Sequence, residues 1–401
     1  MYLTVKRMIK NFKEMVLNRI SIDEITSLLR KWVSIPSRNP PGEERNLALA
    51  ITEQLRNWGF EVELHEALPN RPNVIAYLRG EIGRPKLIFN GHIDTVPEGN
   101  VSSWTYNPFE GVVVGNRLYG RGAGDQKGGL VAFTIAAKAI KEANIKLKGD
   151  LVLTYAAGEE TNEPGTKSIL IDKGVKGDWG IVTEPTSLKI ATAENGLAWF
   201  EVLIKGRAAH ASKPEVGINA ISKAAKFIRE IETYNEAIKR RTHRLIGYSK
   251  CSVTVIQGGL KENIIPDLCR VVIDRRIIPS ETIENCILEI KEILDRIKSS
   301  DPEFNYDLKV MKFSEPAEIP IDSEIYKALA RSLREVGVEP EPWGTPYTCD
   351  VRNFINDAKI PAVTFGPGNI ENCHCIDEWI DLNEVLTASK ALALTALNLL
   401  T

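Results

Sequence analysis

The distribution of apolar and polar residues along the chain predicts short buried strands that alternate with helices. Continuous apolar runs occur in the first half, among them NVIAYL, KLIFNGHID, LVLTYAAGEE and WGIVTEP, and PAVTFGPG follows near the end. Helical patterns such as GGLVAFTIAAKAIKEANI separate several of these runs. Such alternation is typical of an α/β domain with a largely parallel sheet. We therefore predict a mostly parallel central sheet flanked by helices.

The pattern changes from about residue 194. The stretches AWFEVLIKG and CSVTVIQGG alternate apolar and polar positions, as strands with one buried face do. Two amphipathic stretches, VGINAISKAAKFIREIETY and ETIENCILEIKEILDRIKSS, predict helices. The order strand, helix, strand, strand, helix, strand fits a small α+β domain whose sheet is open on one face. The sequence therefore predicts one α/β domain, residues 1–193 and 313–401, interrupted by an inserted α+β domain, residues 194–312.

Composition and charge narrow the class of protein. A chain of 401 residues exceeds what one core usually holds, which supports two domains. The net charge of -2 gives no reason to expect a nucleic acid or an anionic membrane as partner. The first 20 residues predict an amphipathic helix rather than a signal peptide, and no stretch resembles a membrane span. Six cysteines are too few for a disulfide framework, so we expect a cytoplasmic protein with reduced thiols.

Acidic and histidine side chains follow several of the predicted strands. The carboxyl ends of parallel strands converge on one crevice, where ligands bind. Asp94 stands two residues after His92 and can accept a hydrogen bond from the imidazole, which would orient the ring toward a metal. We expect these side chains to meet in one site. The residues concerned are His92, Asp94, Glu159, Glu160, Glu184 and His374.

Asp125 lies in the glycine-rich stretch LYGRGAGDQKGG. The spacing gives neither G-x-G-x-x-G nor a G-K-[ST] ending, which argues against phosphate binding. Several glycines around one aspartate indicate close packing of the backbone near a site. Taken alone, Asp125 also fits a solvated aspartate in a turn. Its place among the other candidates favours the metal site.

The charges of this set favour two divalent ions bridged by Asp125. We predict His92 and Glu184 at one ion and His374 and Glu160 at the other. One carboxylate can bridge two ions that lie roughly 3.5–4 Å apart. Nitrogen and oxygen ligands without thiolate suit zinc, with cobalt or manganese as substitutes.

The adjacent glutamates then have separate tasks. Glu160 is predicted to bind a metal, and Glu159 stays uncoordinated to serve as general base toward water. The thiols of Cys373 and Cys375, on either side of His374, are predicted to turn away from the metal.

The ordered motifs GHIDTVP, LYGRGAGDQKGG, AAGEE, TEPT, NIIPD and the histidine before DEW resemble the M20 metallopeptidases. This family includes acetylornithine deacetylases, succinyl-diaminopimelate desuccinylases, aminoacylases and carboxypeptidases. The similarity extends from IPSRNPPGEE to DEWI. It implies the same ligand set, with Glu159 as base and Asp94 orienting His92, and a cis peptide bond after Asp125. It also implies an exopeptidase-like catalytic domain and a ferredoxin-like lid that forms a dimer.

The resemblance also implies roles for residues of the lid. His210 matches the histidine that polarises the substrate carbonyl, often from the other subunit. The segments ENIIPD, DRRIIP and TCDVRNF match positions that contact substrate, with Arg275 as the register alternative to Arg276. The substrate-binding candidates are Asn263, Arg276, Thr348 and Arg352.

The expected activity is hydrolysis of the amide bond of an N-acyl amino acid by a homodimer. A carboxypeptidase or dipeptidase of the same family is the alternative with the same chemistry. Two further alternatives are a non-catalytic protein that binds an amino-acid derivative and a scaffold with structural metals. The stretch WGTPYTCD lacks the paired glycines of the desuccinylase segment, so the acyl group and the amine stay open.

Overall fold

The computed structural model describes residues 11–161 and 163–401. The predicted N-terminal helix is seen as helix α1 (residues 11–17), and its first part lies outside the described residues. The chain forms two compact units. Unit 1 contains the residues up to Thr192 together with Ile319–Trp343 and Cys349–Thr401, and unit 2 contains Ala193–Glu318 and Gly344–Thr348. The inserted unit thus ends at Glu318 rather than at residue 312. Its last long strand continues to Ser314, and the short strand Ala317–Glu318 follows.

The elements are numbered in chain order. The strands before the insertion are β1 (Glu61–Leu68), β2 (Arg71–Leu78), β3 (Lys86–His92), β4 (Val112–Val114), β5 (Arg117–Tyr119), β6 (Asp150–Ala156), β7 (Trp179–Val182) and β8 (Ile190–Glu194). Next come β9 (Gly196–Lys205), β10 (Ala209–His210), β11 (Thr242–His243), β12 (Gly247–Tyr248), β13 (Lys250–Gly258), β14 (Ile264–Ile265), β15 (Leu268–Ile277), β16 (Asn305–Ser314) and β17 (Ala317–Glu318). The last strands are β18 (Pro342–Thr345), β19 (Ala362–Thr364) and β20 (Trp379–Asp381).

The remaining helices are α2 (Ile22–Val33), α3 (Arg45–Asn57), α4 (Gly128–Glu142), α5 (Gly165–Lys167), α6 (Ala220–Ile238), α7 (Ile283–Ser300), α8 (Glu324–Glu335) and α9 (Leu382–Leu400). Helix α2 begins after Ser21, whose side chain accepts a hydrogen bond from the backbone N–H of Asp23 and caps the helix. None of the helices in the described residues is long and apolar enough to cross a membrane.

The central sheet has the strand order β1-β2-β6-β3-β7-β19-β8, with β17 and β18 beside β8. The four strands β6, β3, β7 and β19 are parallel to one another, and the pairs β1/β2, β2/β6, β19/β8 and β8/β17 are antiparallel. The α/β prediction is confirmed, with a mixed sheet whose parallel part lies at its centre. Helices α4 and α9 pack against each other and belong to the apolar core of unit 1.

The parallel part of the sheet aligns the strand ends that carry the candidate residues. His92 at the end of β3 is level with Ala156 at the end of β6. Asn90 of β3 and Thr364 of β19 are both level with Val182, the last residue of β7. The segments that follow these four strands therefore leave the sheet at the same edge.

Unit 2 contains a four-stranded antiparallel sheet with the order β13-β15-β9-β16. Along the chain its elements follow the order β9, α6, β13, β15, α7, β16, which is the predicted ferredoxin-like arrangement. Alternate residues of the strands pack with α6 and α7 in one apolar core. The other residues of these strands, among them Trp199, Arg270 and Arg276, lie on the face opposite the helices and are half-buried.

Candidate active site

His92 lies at the carboxyl end of β3 with only 2% of its side chain exposed. Its Nε2 is 2.9 Å from Oδ1 of Asp125 and 3.8 Å from Oε1 of Glu184. Its backbone N–H donates a hydrogen bond of 2.7 Å to Oε1 of Gln126. The ring is thus fixed between two carboxylates that belong to different segments of the chain.

Asp125 occupies the segment Ala123–Lys127, between β5 and α4. Oδ1 of Asp125 faces His92, and Oδ2 lies 3.2 Å from Nε2 of His374. The two oxygens of one carboxylate therefore face two different imidazoles, as a group that bridges two ions must. The peptide bond between Asp125 and Gln126 is cis, as the resemblance implied.

The backbone of this segment is held by Glu378, which is fully buried. Its Oε1 accepts hydrogen bonds from the N–H groups of Gly124 at 2.9 Å and Asp125 at 3.1 Å. Its Oε2 accepts one from Nη1 of Arg121 at 2.5 Å. Glu378 belongs to the DEW motif that contributes to the family resemblance, but the local sequence gives no sign of this contact.

The glycines around Asp125 allow close packing. A Cβ at Gly129 would lie 2.1 Å from the carbonyl oxygen of Thr183, which precedes Glu184. Gly122 has a φ of +81°, in the left-handed region that favours glycine. The predicted crowding of the backbone is confirmed at these positions.

The residues predicted for the second ion also lie close together. Oε1 of Glu160 lies 3.1 Å from Nε2 of His374. The ligand atoms of His92, Asp125 and Glu160 all lie within 4.8 Å of one another. The structure thus brings together all five predicted ligands on two sides of Asp125.

The donor set fits two divalent ions. Among the described residues, Oε1 of Glu184 is buried without a hydrogen-bond partner although it faces His92. Burial of a carboxylate oxygen without a hydrogen-bond partner costs free energy, and a bound cation would offset that cost. Two imidazoles and three carboxylates are also a ligand set that suits zinc. The thiols of Cys373 and Cys375 contact the carbonyl oxygens of Asn369 and Asn372 at 3.4 and 3.1 Å instead.

The ionisation of the site reflects the crowding of like charges. Burial raises the pKa of Glu184 to about 8. Burial, with further contributions from carboxylates such as Glu184, also raises the pKa of Glu159 well above 4.5. Hydrogen bonds that His374 donates to Asp125 and Glu160 raise its pKa to about 11. Burial lowers the pKa of His92, but Glu184 and Asp125 outweigh it, so the pKa lies well above 6.5.

The two glutamates do not continue β6 as an extended strand. They lie in a turn after Gly158, which has a φ of +95°. Their backbone N–H groups, and that of Gly158, donate hydrogen bonds to the carboxylate of Asp94. This turn, rather than an extended strand, therefore positions Glu159 and Glu160.

Asp94 contacts His92 differently from the prediction. Nδ1 of His92 lies 2.9 Å from the backbone carbonyl oxygen of Asp94 and 3.5 Å from its carboxylate Oδ1. The carbonyl oxygen is thus the closer acceptor for the ring.

Unit 2 brings two of the lid candidates together. His210 in β10 is paired with Ile264 in β14, and the N–H of Ala211 donates to the carbonyl oxygen of Asn263 at 3.0 Å. His210 and Asn263 are both exposed, and Nδ1 of His210 lies 2.8 Å from Oγ of Ser212.

The two arginines of DRRIIP have opposite environments. Arg275 is fully buried and forms an ion pair with Glu281. Arg276 keeps 32% of its side chain exposed and lies 2.8 Å from Asp274. Only Arg276 of this pair is accessible to a substrate.

Thr348 and Arg352 lie in different units. Thr348 is half-buried and belongs to unit 2. Arg352 belongs to unit 1, and its Nη1 donates a hydrogen bond of 2.5 Å to the carbonyl oxygen of Cys349. Between them, Asp350 is buried and accepts a hydrogen bond of 2.6 Å from Thr166. Asp350 was not predicted as a site residue, since an acid within TCDVRNF gives no sign of burial.

Residues 88–398 match the model of Peptidase family M20/M25/M40. This chain belongs to that family. It is a metal-dependent hydrolase of amide bonds, as its relatives and structural neighbours in the M20 family support. The family assignment from the motifs is therefore confirmed.

The M20 relatives cover most of this chain. It is 28% identical over 396 residues to N-formyl-4-amino-5-aminomethyl-2-methylpyrimidine deformylase of Bacillus subtilis, with 92% of each chain covered. It is 30% identical over 397 residues to a probable succinyl-diaminopimelate desuccinylase of Staphylococcus aureus, covering 89% of this chain and 93% of the relative. It is also 30% identical over 378 residues to acetylornithine deacetylase of Proteus mirabilis, covering 90% and 93%.

Solved M20 structures share the fold. An M20 metallo-carboxypeptidase from Sulfolobus solfataricus superposes with a TM-score of 0.78 at 21% identity, covering 93% of this chain and 98% of that one. A dinuclear metal binding M20 peptidase of Bacillus subtilis superposes with a TM-score of 0.73 at 19% identity, covering 94% and 98%. At sequence identities this low, the similarity to the two solved structures establishes the fold of this chain alone.

Proposed function

We propose that this M20 protein hydrolyses the amide bond of N-acyl amino acids with two divalent ions, zinc being the metal that its ligands suit best. The observation that carries the proposal is the position of Asp125, whose two oxygens face His92 and His374. His92 and Glu184 would hold one ion, and His374 and Glu160 the other. Cobalt or manganese would substitute for zinc.

Bound ions would polarise the scissile carbonyl and lower the pKa of water. Glu159 takes the proton from the attacking water and delivers it to the leaving nitrogen. Among the described residues, its side chain accepts no hydrogen bond, which leaves its oxygens available for this task.

Unit 2 is proposed to bind the substrate. His210 would stabilise the oxyanion, and the guanidinium of Arg276, with Asn263, would hold the α-carboxylate of the amino acid. Thr348 and Arg352 are proposed to contact the rest of the substrate. Closure of unit 2 as a lid would exclude water, and we propose that the same unit forms a homodimer.

The names of the relatives support an acyl group on nitrogen as the substrate. A deformylase, a desuccinylase and a deacetylase each remove an acyl group, and all three cover about nine tenths of this chain. They differ in the acyl group and in the amine. The class of substrate is therefore proposed as a small N-acyl amine with a carboxylate.

The test is turnover of the zinc- and cobalt-loaded protein on N-formyl, N-acetyl and N-succinyl amino acids and on dipeptides. We expect one of the acyl amino acids to give the highest kcat/KM. Preference for dipeptides would make the protein a peptidase, and absence of turnover on every compound would contradict the proposal.

The mechanism is tested by Glu159→Gln. Because the amide cannot accept the water proton, we expect kcat to fall by roughly 10²–10⁴-fold, with two metal equivalents still bound. Glu66→Gln is the control, since the Glu66 side chain lies in an exposed ion pair with Arg45. Unchanged turnover of Glu159→Gln would rule out Glu159 as the base.

A further inference from the structure

The carboxylate of Asp94 is fully buried and is surrounded by donors of one turn. Oδ1 accepts hydrogen bonds from the N–H groups of Gly158 at 3.0 Å and Glu159 at 3.1 Å. Oδ2 accepts one from the N–H of Glu160 at 3.0 Å. Three successive backbone N–H groups that converge on one anion form a concave anion-binding turn. Here the anion is a side chain of the protein itself.

A fourth donor, the side-chain amide of Asn39, also contacts the carboxylate. Nδ2 of Asn39 lies 2.8 Å from Oδ2 of Asp94 and also 2.8 Å from Oγ1 of Thr161, the residue after Glu160. The hydroxyl of Thr161 donates in turn to Glu163 at 2.8 Å. The turn is therefore held at its start by Asp94 and at its end by the same network.

His92 depends less on this carboxylate. The backbone carbonyl oxygen of Asp94 is 0.6 Å nearer to Nδ1 of His92 than its Oδ1 is, at 2.9 Å against 3.5 Å. A substitution of the Asp94 side chain does not remove that carbonyl oxygen. The orientation of the ring therefore has a support that does not involve the carboxylate.

We propose that the carboxylate of Asp94 is a positioning residue for the turn of Glu159 and Glu160, rather than chiefly for His92. It fixes the backbone so that Glu160 reaches His374 while the side chain of Glu159 stays uncoordinated. The assignment rests on the proposed function, which gives Glu159 and Glu160 their tasks. The hydrogen bonds to Asp94 join groups of the protein and involve no ion.

Asp94→Asn tests the proposal, because an amide nitrogen replaces one acceptor and faces the N–H donors. We expect backbone amide exchange at residues 158–160 of the metal-free protein to become about tenfold faster or more, as bonds to a charged acceptor are lost. We expect one of the two metal equivalents to bind about 10–100-fold more weakly while the other stays unchanged. The value of kcat should fall by a similar factor with little change in KM.

Asp178→Asn is the matched control. Its carboxylate also accepts a backbone hydrogen bond, from Lys86 at 2.7 Å, but at the opposite end of β3 from His92. We expect this variant to keep both metal equivalents and wild-type amide exchange at residues 158–160. Asn39→Ala is the second variant if Asp94→Asn does not fold, and it should shift exchange and metal binding in the same direction by a smaller factor.

Unchanged amide exchange at residues 158–160 in Asp94→Asn, whether or not an ion binds more weakly, would overturn the assignment and leave Asp94 as an orienting group for His92. A wild-type protein that binds two ions but hydrolyses no amide would contradict the proposed function alone. The exchange experiment does not depend on turnover, so the two failures are distinguishable.

Discussion

At the scale of single residues, charge and burial decide which of several similar side chains is available for chemistry. Asp125 has one oxygen toward each histidine, and both glutamates of the AAGEE motif end up in one turn. Arg275 and Arg276 are neighbours of the same type, yet one is buried in an ion pair and the other is accessible. Residue type alone does not assign a role at these positions.

Arg276 is expected to contribute to substrate binding. Replacing it by alanine removes charge-assisted hydrogen bonds worth about 1.5–3 kcal/mol, so kcat/KM should fall by roughly 10–100-fold, mainly through KM. Steady-state kinetics on the best acyl amino acid measure this. Arg270→Ala is the control, because Arg270 lies on the same strand, is 29% exposed and pairs with Glu201. Equal losses in both variants would contradict a specific role.

Glu281 is expected to make the stability of unit 2 depend on pH. Its carboxylate accepts hydrogen bonds from Arg275, Arg241 and Ser249, and these partners hold its pKa below 4.5 in spite of burial. A lowered pKa in the folded state stabilises unit 2 above about pH 4.5, and this contribution is lost as the pH falls below that value.

Glu281→Gln should therefore lower the free energy of unfolding by about 3–5 kcal/mol at pH 7, since it leaves Arg275 buried without its charge partner. The difference from wild type should shrink toward pH 3. Denaturant unfolding between pH 7 and pH 3 measures both effects, with Glu292→Gln on the exposed side of α7 as control. A difference that stays constant with pH would refute the explanation.

At the scale of elements, the site depends on how closely helix α4 approaches strand β7. Gly128 and Gly129 begin α4, and a Cβ at Gly129 would collide with the carbonyl oxygen of Thr183 at 2.1 Å. That carbonyl belongs to the residue before Glu184. The position of a metal ligand is therefore coupled to the packing of this helix.

Gly129→Ala should cost about 1–3 kcal/mol of stability and should also weaken metal binding, because the segment of Glu184 must move. Ser21→Ala is the control, since removal of this helix cap costs about 1 kcal/mol but lies outside the site. Thermal unfolding and metal titration of both variants separate the two effects. Normal metal affinity in Gly129→Ala would show that the segment tolerates the displacement.

The elements themselves were largely predictable. Apolar runs such as KLIFNGH and LVLTYA correspond to β3 and β6, and amphipathic stretches correspond to α6 and α7. The antiparallel edges of the central sheet were not predicted, because a fully buried run has the same pattern in either direction. The boundary of unit 2 was also missed, since β16 continues to Ser314 without a break in composition.

At the scale of the whole molecule, the metals are expected to serve activity more than folding. The core of unit 1 consists of many buried apolar residues on α4, α9 and the sheet, and these residues pack against one another without needing a bound ion. Removal of metal with EDTA should give an inactive protein with an unchanged far-ultraviolet circular dichroism spectrum. Added zinc should restore activity and raise the unfolding temperature. Loss of the folded spectrum would indicate structural metals instead.

The sequence by itself determined the family, the α/β fold with its ferredoxin-like insertion, and which residue types stand at the ends of strands. It could do so because hydrophobic periodicity and short motifs are local properties of the chain. Only the tertiary structure decided that Glu378 holds the segment of Asp125, that Asp94 faces the turn of Glu159, and that Arg275 is buried. Some of these contacts join residues that are far apart in the sequence, and others depend on which face of a strand packs against a helix. The local pattern of apolar and polar residues determines neither of these properties.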